Sequence, residues 1–241
     1  MNKFKADFVV EDLSLMDTAV NYNRWLYSLI ASWLSGSVLE IGSGIGNITI
    51  HILNKSKNVE LLTCIELNAN CCEYLRHQSS LITHKIDMDI VNTDFMDMQT
   101  TNKFDAIFSF NVLEHIEDDV AALCKMKDLL YPGGRVLCFV PAIKWLYGSI
   151  DKKVGHRRRY SKRDLVKKIV KSGLSISNIR YYNTIGLFGW FLNNRILRIQ
   201  SQKPKQIALF DKYIFPLQRD IESLVKMPFG QNLFFVAHKQ G

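Results

Sequence analysis

The stretch VLEIGSGIGNIT, residues 38–49, is a short apolar run followed by Gly42, Gly44 and Gly46 and then by a segment with helical spacing. A strand that ends in such a turn and feeds a helix brings backbone N–H groups close to a ligand, because glycine leaves no Cβ in the way. A glycine-rich strand-to-helix turn without a ligand is the plainer reading of the loop alone. Two residues narrow the choice. The dinucleotide-binding pattern G-x-G-x-x-G calls for a third glycine where Asn47 stands. Glu40, two residues before Gly42, is ill-suited to a pyrophosphate and well suited to an ammonium group. Both point away from NAD and toward a ligand with an amino-acid moiety, its ammonium facing acids and its carboxylate meeting backbone N–H groups.

Outward from this loop, strands and helices alternate. The spacing predicts a helix over 17–34 ended by Gly36, a strand over 37–41 and a helix over 46–54. Strand 59–66, helix 68–78, a short strand at 89–91, strand 104–110 and helix 118–130 follow. After the turn at Pro132-Gly133-Gly134 come strand 135–140, a helix opened by Ser161 and Asp164 in capping-box spacing, and strands 175–182 and 232–238. The central strands are almost wholly apolar, which predicts a parallel sheet covered on both faces. The last two strands lie about 50 residues apart, too far for a plain hairpin. The chain thus divides into an N-terminal helical cover (1–35), an α/β core (36–182), a helical cap (183–231) with helices near 186–199 and 206–226, and a final core strand (232–241).

Ligands of such sheets sit at the carboxyl ends of the strands. Glu66 ends the second strand, where an acid accepts hydrogen bonds from both hydroxyls of a ribose. Asp94 follows the third strand and is placed to meet an exocyclic adenine amine, with Phe95 packing on the ring; a loop Asp that closes its own turn is the alternative.

Taken in order, Glu40 to Gly46, Glu66, Asp94, FDAIFSFNVLEHIEDD at 104–119 and LYPGGRVLCFVP at 130–141 resemble the class I S-adenosylmethionine-dependent methyltransferases. The likeness extends to the small-molecule branch that includes the ubiquinone and menaquinone methyltransferases. The resemblance implies a doubly wound, Rossmann-like seven-stranded sheet with an antiparallel last strand. It implies S-adenosylmethionine as cofactor. Glu40, Gly42, Ser43, Gly44, Gly46 and Asn47 would hold its methionine part, Glu66 and Leu67 its ribose and adenine, and Asp94 and Phe95 the adenine. Asn111 and Val112 would close the methionine side, with Tyr22, Asn23 and Trp25 covering from the N-terminal helix.

Methyl transfer to a hydroxyl benefits from a general base, and His115 and His156 are the candidates. A loop-shaping His is the other reading of His115. No N/D-P-P-Y follows the fourth strand, which disfavours nucleobase amine methylation, and no acidic metal set is evident, so no metal is expected. The segment PAIKWLYGSIDKKVGHRRRYSKRDL, 141–165, resembles the active-site loop of bacterial methyltransferases associated with glycosyltransferases or natural-product tailoring. That likeness makes Trp145, Tyr147, Arg158, Arg159 and Tyr160 acceptor-binding candidates.

Charge supports that focus. The 241 residues carry a net charge of +8, yet residues 152–171 alone hold ten Lys or Arg and one acid. The rest has 21 basic and 22 acidic residues, so the basic character is local. Arg157–Arg159 would bind an anionic acceptor, phosphorylated, lipid-linked or carboxylic, or would instead pin the loop to acids of the core. The lack of a separate RNA-binding module argues against a nucleic-acid partner and an RNA methyltransferase. A non-catalytic partner subunit of the same fold is the remaining rival. No leader or membrane-spanning run is evident, and five scattered cysteines read as reduced thiols, so the expected location is the cytoplasm. Apolar clusters at 185–197 and 209–217, flanked by Arg195 and Arg198, suggest peripheral membrane contact, an acceptor pocket or a homodimer surface.

Overall fold

The computed structural model describes residues 18–191 and 204–240. Seven strands form one sheet: β1 (Gly36–Ile41), β2 (Val59–Glu66), β3 (Asp87–Asn92), β4 (Phe104–Phe110), β5 (Leu130–Pro141), β6 (Ser175–Tyr182) and β7 (Asn232–His238). Their order is β3-β2-β1-β4-β5-β7-β6. β1 to β5 pair in parallel, and β7 lies antiparallel between β5 and β6. This is the parallel sheet that the alternation predicts, in the doubly wound, seven-stranded form with an antiparallel last strand that the resemblance implies. The helices are α1 (Val20–Ile30), α2 (Thr49–Lys55), α3 (Ala69–Ser80), α4 (Asp119–Leu129), α5 (Ser149–Val154), α6 (Lys162–Lys171), α7 (Thr184–Phe191), α8 (Pro204–Leu209) and α9 (Phe215–Leu224). A wide π turn, Phe210–Ile214, joins α8 to α9.

Alternation along the strands divides the core. Leu39, Ile107, Val136 and Cys138 face α4 and α6 through Leu123, Met126, Leu165 and Ile169. Val38, Leu62, Phe108 and Phe139 face α1, α2 and α3 through Ile30, Ile52 and Leu75. Burying each such side chain contributes roughly 1.5–3 kcal/mol over leaving it in water. Two-sided burial explains why these strands read as continuous apolar runs.

Several boundaries differ from expectation for local reasons. The first helix ends at Ile30 in a short turn (Ala31–Trp33), and Gly36 begins β1 instead of ending the helix. Its φ of +60° lets the chain pass against the Asp105 carboxylate. β5 begins at Leu130 and carries the Pro132-Gly133-Gly134 turn within it. The loop after β5 contains α5, which the charge run concealed. Gly155, at φ +84°, ends it, and the Asp151 carboxylate accepts the Gly148 N–H (3.0 Å) at its start. Ser161 caps α6 by accepting the Asp164 N–H (3.2 Å), but Asp164 turns to Lys144 in place of the reciprocal capping-box bond. The first cap helix is described over Thr184–Phe191, and its expected continuation to 199 lies outside the described residues, as do residues 1–17 of the N-terminal cover. Among the described residues, no helix is long and apolar enough to cross a membrane.

Candidate functional site

Chain order reverses between β1 and β4, and a crevice opens there at the carboxyl ends of the strands. It holds a cavity of about 650 Å3. Residues from the β1 turn (Glu40, Gly42, Ser43, Gly44, Asn47), the end of β2 (Glu66, Leu67), the loop after β3 (Asp94, Phe95) and the loop after β4 (Asn111, Val112, His115) line it. Tyr22, Asn23 and Leu26 of α1 cover one side.

The glycine turn is shaped by close approach. Gly42 has φ +73°, and a Cβ there would stand 2.4 Å from the Val112 side chain. Asn111 itself takes φ 53°, donating its N–H to the Phe139 carbonyl (2.8 Å), and so carries Val112 to the turn. Glu66 ties the loop to the sheet. One carboxylate oxygen accepts the Gly44 N–H (2.9 Å) and the other the Asn68 N–H (2.8 Å), and each retains room for a further donor. Asp94 accepts the Met96 N–H (2.7 Å), closing its own turn while still lining the cavity. The turn-closing reading of Asp94 is met, and its place in the cavity wall leaves it near a ligand there.

Three carboxylates around one cavity suit a cationic ligand. Glu40 is buried and accepts the Thr49 hydroxyl (2.5 Å), and burial pushes its pKa up to about 7 against the pull of Thr49 and Cys64. The Ser43 hydroxyl is buried at the same turn with no partner. A buried polar atom left unpaired is unfavourable unless a ligand completes it. The ammonium and sulfonium of S-adenosylmethionine, with a ribose at Glu66, fit this donor and acceptor set.

Raised pKa has a stability consequence. A carboxyl that favours its proton when folded contributes stability that is full below its unfolded value and is lost as pH rises through its folded one. Glu114 behaves like Glu40, pushed up to about 8 by burial. The ligand-free protein is therefore expected to melt at progressively lower temperature between about pH 5 and pH 8. Glu40→Gln should flatten part of that slope in a melting series; an unchanged slope would contradict the assignment.

The candidate bases lie together but differ in access. The rings of His115 and His156 meet edge to face, with centroids 4.8 Å apart. Only His115 belongs to the cavity wall. Its Nδ1 lies 3.2 Å from the Gly155 carbonyl, a bond that requires the proton on Nδ1 and leaves Nε2 bare. Desolvation and the adjoining His156 push its pKa down, so the ring is neutral at physiological pH. His156 lies behind it, between Asp151 (Nδ1 to Oδ1, 2.8 Å) and Glu114 (Nε2 to Oε1, 3.5 Å). Glu114, His115 and His156 each bring a ligand atom within 4.8 Å of the others, a grouping with metal-ligating residue types that the sequence did not suggest.

The acceptor-binding candidates are placed elsewhere. None of Trp145, Tyr147, Arg158, Arg159 and Tyr160 lines the cavity. Arg159 is buried, donating to Asp151 (2.8 Å) and the Ala142 carbonyl (3.1 Å) under the Trp190 ring. Arg158 pairs with Asp119 (2.8 Å), which also accepts from the Tyr160 hydroxyl (2.9 Å) and Lys168 (2.5 Å). Tyr147 donates to the His156 carbonyl (2.8 Å), and Trp145 is exposed against Phe191. The arginines thus pin the loop to acids of the core. Arg157 alone of the three reaches the cavity, held by the His115 carbonyl (3.0 Å) and Glu117 (3.5 Å). Trp25 is also displaced from its expected role: its ring is buried against Phe139, Tyr182 and Phe215, and Leu26 takes the lining position. Leu26 escaped notice because helical spacing gives both residues an inward face.

Residues 39–136 match the family described as "Methyltransferase domain". An uncharacterized methyltransferase of Bacillus mycoides is 26% identical over 131 residues, 53% of this chain and 57% of its own, so this chain spans little more than half of that relative. Among solved structures, the Haloferax volcanii complex between the Trm112 methyltransferase activator and a methyltransferase superposes with a TM-score of 0.65 at 15% identity, over 98% of this chain and 95% of that one. Phosphoethanolamine N-methyltransferase 2 of Haemonchus contortus, bound to S-adenosylmethionine, superposes with a TM-score of 0.61 at 19% identity, over 92% of this chain and 53% of that one. The match over residues 39–136, the sheet order and the residues lining the cavity together support an S-adenosylmethionine-dependent methyltransferase domain.

Proposed function

We propose that the protein methylates an oxygen of a small anionic acceptor, with His115 as general base and Arg157 as the anion-binding group. The observation that carries this reading is the neutral His115 in the cavity wall, its Nδ1 occupied by the Gly155 carbonyl and its Nε2 left to accept a proton. S-adenosylmethionine supplies a methyl group on an already activated sulfonium, so alignment carries much of the catalysis. Glu40 and Ser43 orient the methionine end, Glu66 the ribose, and Val112 closes the turn toward the acceptor side. A base pushed below its ordinary value takes a proton more readily from an acidic hydroxyl, such as a phenol, than from a simple alcohol. Arg157, half-exposed at the mouth, offers a forked donor to a carboxylate or phosphate on the same molecule.

A panel of hydroxylated carboxylic acids and phosphates, assayed by S-adenosylhomocysteine release, tests the reading. His115→Gln is expected to lower kcat by about 100-fold or more while leaving S-adenosylhomocysteine affinity intact. Arg157→Gln should raise acceptor KM with little change in kcat. A His115→Gln enzyme with unchanged kcat would overturn the base assignment.

A further inference from the structure

Three side chains of metal-binding type meet at and behind the cavity wall: Glu114 and His115 from the loop after β4, and His156 from the loop after α5. Backbone bonds bring the two loops together. The Arg157 N–H donates to the Glu114 carbonyl (3.0 Å), and the His156 N–H to the Asp151 carbonyl (2.8 Å). Glu114 is the exceptional member of the group. It is 0% exposed, and neither of its carboxyl oxygens has a hydrogen-bond partner among the described residues. Its Oε1 faces His156 Nε2 at 3.5 Å. A carboxylate buried without a partner is strongly unfavourable, so a bound ion is a physical reason for one to stand there.

Both imidazoles are already held from behind. The Asp151 carboxylate takes Nδ1 of His156 (2.8 Å), and the Gly155 carbonyl takes Nδ1 of His115 (3.2 Å). An oxygen on one ring nitrogen fixes the tautomer that leaves the other as a lone-pair donor, which is the support that metal-bound histidines receive. Charge points the same way. Glu114 and Asp151 share the Arg159 guanidinium, which donates to Asp151 (2.8 Å), and two carboxyls against one guanidinium favour a further cation.

We propose that Glu114, His115 and His156 bind a divalent transition-metal ion of the zinc class, with its open position toward the cavity that His115 lines. Two imidazoles and one carboxylate, with a fourth place left for water or a ligand, are a zinc donor set, whereas magnesium and calcium prefer oxygens. A tetrahedral ion holds its ligand atoms about 3.4 Å apart. Glu114 and His156 stand at that spacing, and His115, with its ligand atom within 4.8 Å of theirs, closes the rest by a small side-chain shift. In one respect the consequence rests on the methyl-transfer reading: the ion takes the His115 nitrogen that the general base needs bare, so the metal-loaded and catalytic states exclude each other.

Titration of the chelator-stripped full chain, with zinc in a calorimeter and with cobalt followed by its visible absorption, tests the proposal. One ion per chain is expected, with the intense absorption of tetrahedral cobalt and a melting temperature that rises with zinc. Loss of an outer partner of a metal ligand costs about 10–100-fold in affinity, so loss of a ligand itself should cost about 100-fold or more. His115→Ala, on the open side of the group, and Glu114→Gln, which keeps the shape, should each show that loss while melting near the parent in the absence of zinc. Two results would overturn the proposal: no zinc binding by the parent, or zinc affinity unchanged in both variants, which would put the ion elsewhere on the chain. Neither measurement needs an acceptor, so failure of the metal site is distinct from failure of the base assignment, which the His115→Gln kinetics report.

Discussion

Asp151→Ala is expected to cost about 3–5 kcal/mol, the penalty for breaking a buried ion pair from one side. The carboxylate is fully buried and accepts from Arg159 (2.8 Å), His156 (2.8 Å) and the Gly148 N–H (3.0 Å). Burial alone would raise its pKa, but the His156 bond, the Arg159 charge and the Gly148 N–H outweigh that and hold it down. Its removal leaves the buried Arg159 guanidinium, among the described residues, with the Ala142 carbonyl, the Trp190 ring and the more distant Glu114 carboxyl. In a chain of this size the melting temperature should fall by roughly 10 °C. Asp151→Asn keeps the shape and loses the charge, so it should fall between the variant and the parent. S-adenosylhomocysteine affinity should change little, because neither Asp151 nor Arg159 lines the cavity. Arg159→Gln discriminates most sharply: a lower melting temperature with unchanged acceptor KM supports the latch, and a raised KM at constant stability would refute it.

Glu66→Ala should weaken S-adenosylhomocysteine binding by about 100-fold or more. Hydrogen bonds to a charged acceptor contribute about 1.5–3 kcal/mol each, and two ribose hydroxyls would lose theirs together. The change also unties the Gly44 N–H, so the glycine turn loses one of its ties to β2, while the Gly42 and Ser43 N–H groups still donate to the Ile65 carbonyl. Glu66→Gln keeps one acceptor oxygen and should lose about tenfold. Calorimetric titration reads both values. If Glu66→Ala binds as tightly as the parent, the carboxylate serves the loop alone and the ribose lies elsewhere.

The contrast between these residues shows where local reading succeeds. β2, β4, β6 and β7 run over 59–66, 104–110, 175–182 and 232–238, the same bounds the apolar runs predict. Those runs end in turn or cap residues, and both signals are local. The glycine turn and Glu66 were legible for a related reason. In a parallel sheet the strand end fixes which residues face the crevice, so position along the strand is position at the site.

Arg158 and Arg159 resisted such reading. A run of arginines states the charge but not its partner, and the partners come from the start of α4, which was legible as a helix, and from α5, which was not. Asp119 lies 39 residues before Arg158, and Asp151 became an acceptor only because α5 folds it inward. The cap is a different case. Its apolar residues left membrane contact, an acceptor pocket and a homodimer surface open, and the buried bonds of Asp211 and Glu222 turn several of them outward.

The sequence by itself determined the order of the strands along the chain, the parallel character of the central sheet and the acids at its carboxyl edge. Each follows from the apolar period and turn chemistry of a few neighbouring residues. The tertiary structure alone decided which of three adjacent arginines meets the cavity, which of two histidines does, and which face of α9 is turned to solvent. Those outcomes depend on which buried charge finds a partner across the fold, and an unpaired buried charge is too unfavourable for any other arrangement to persist.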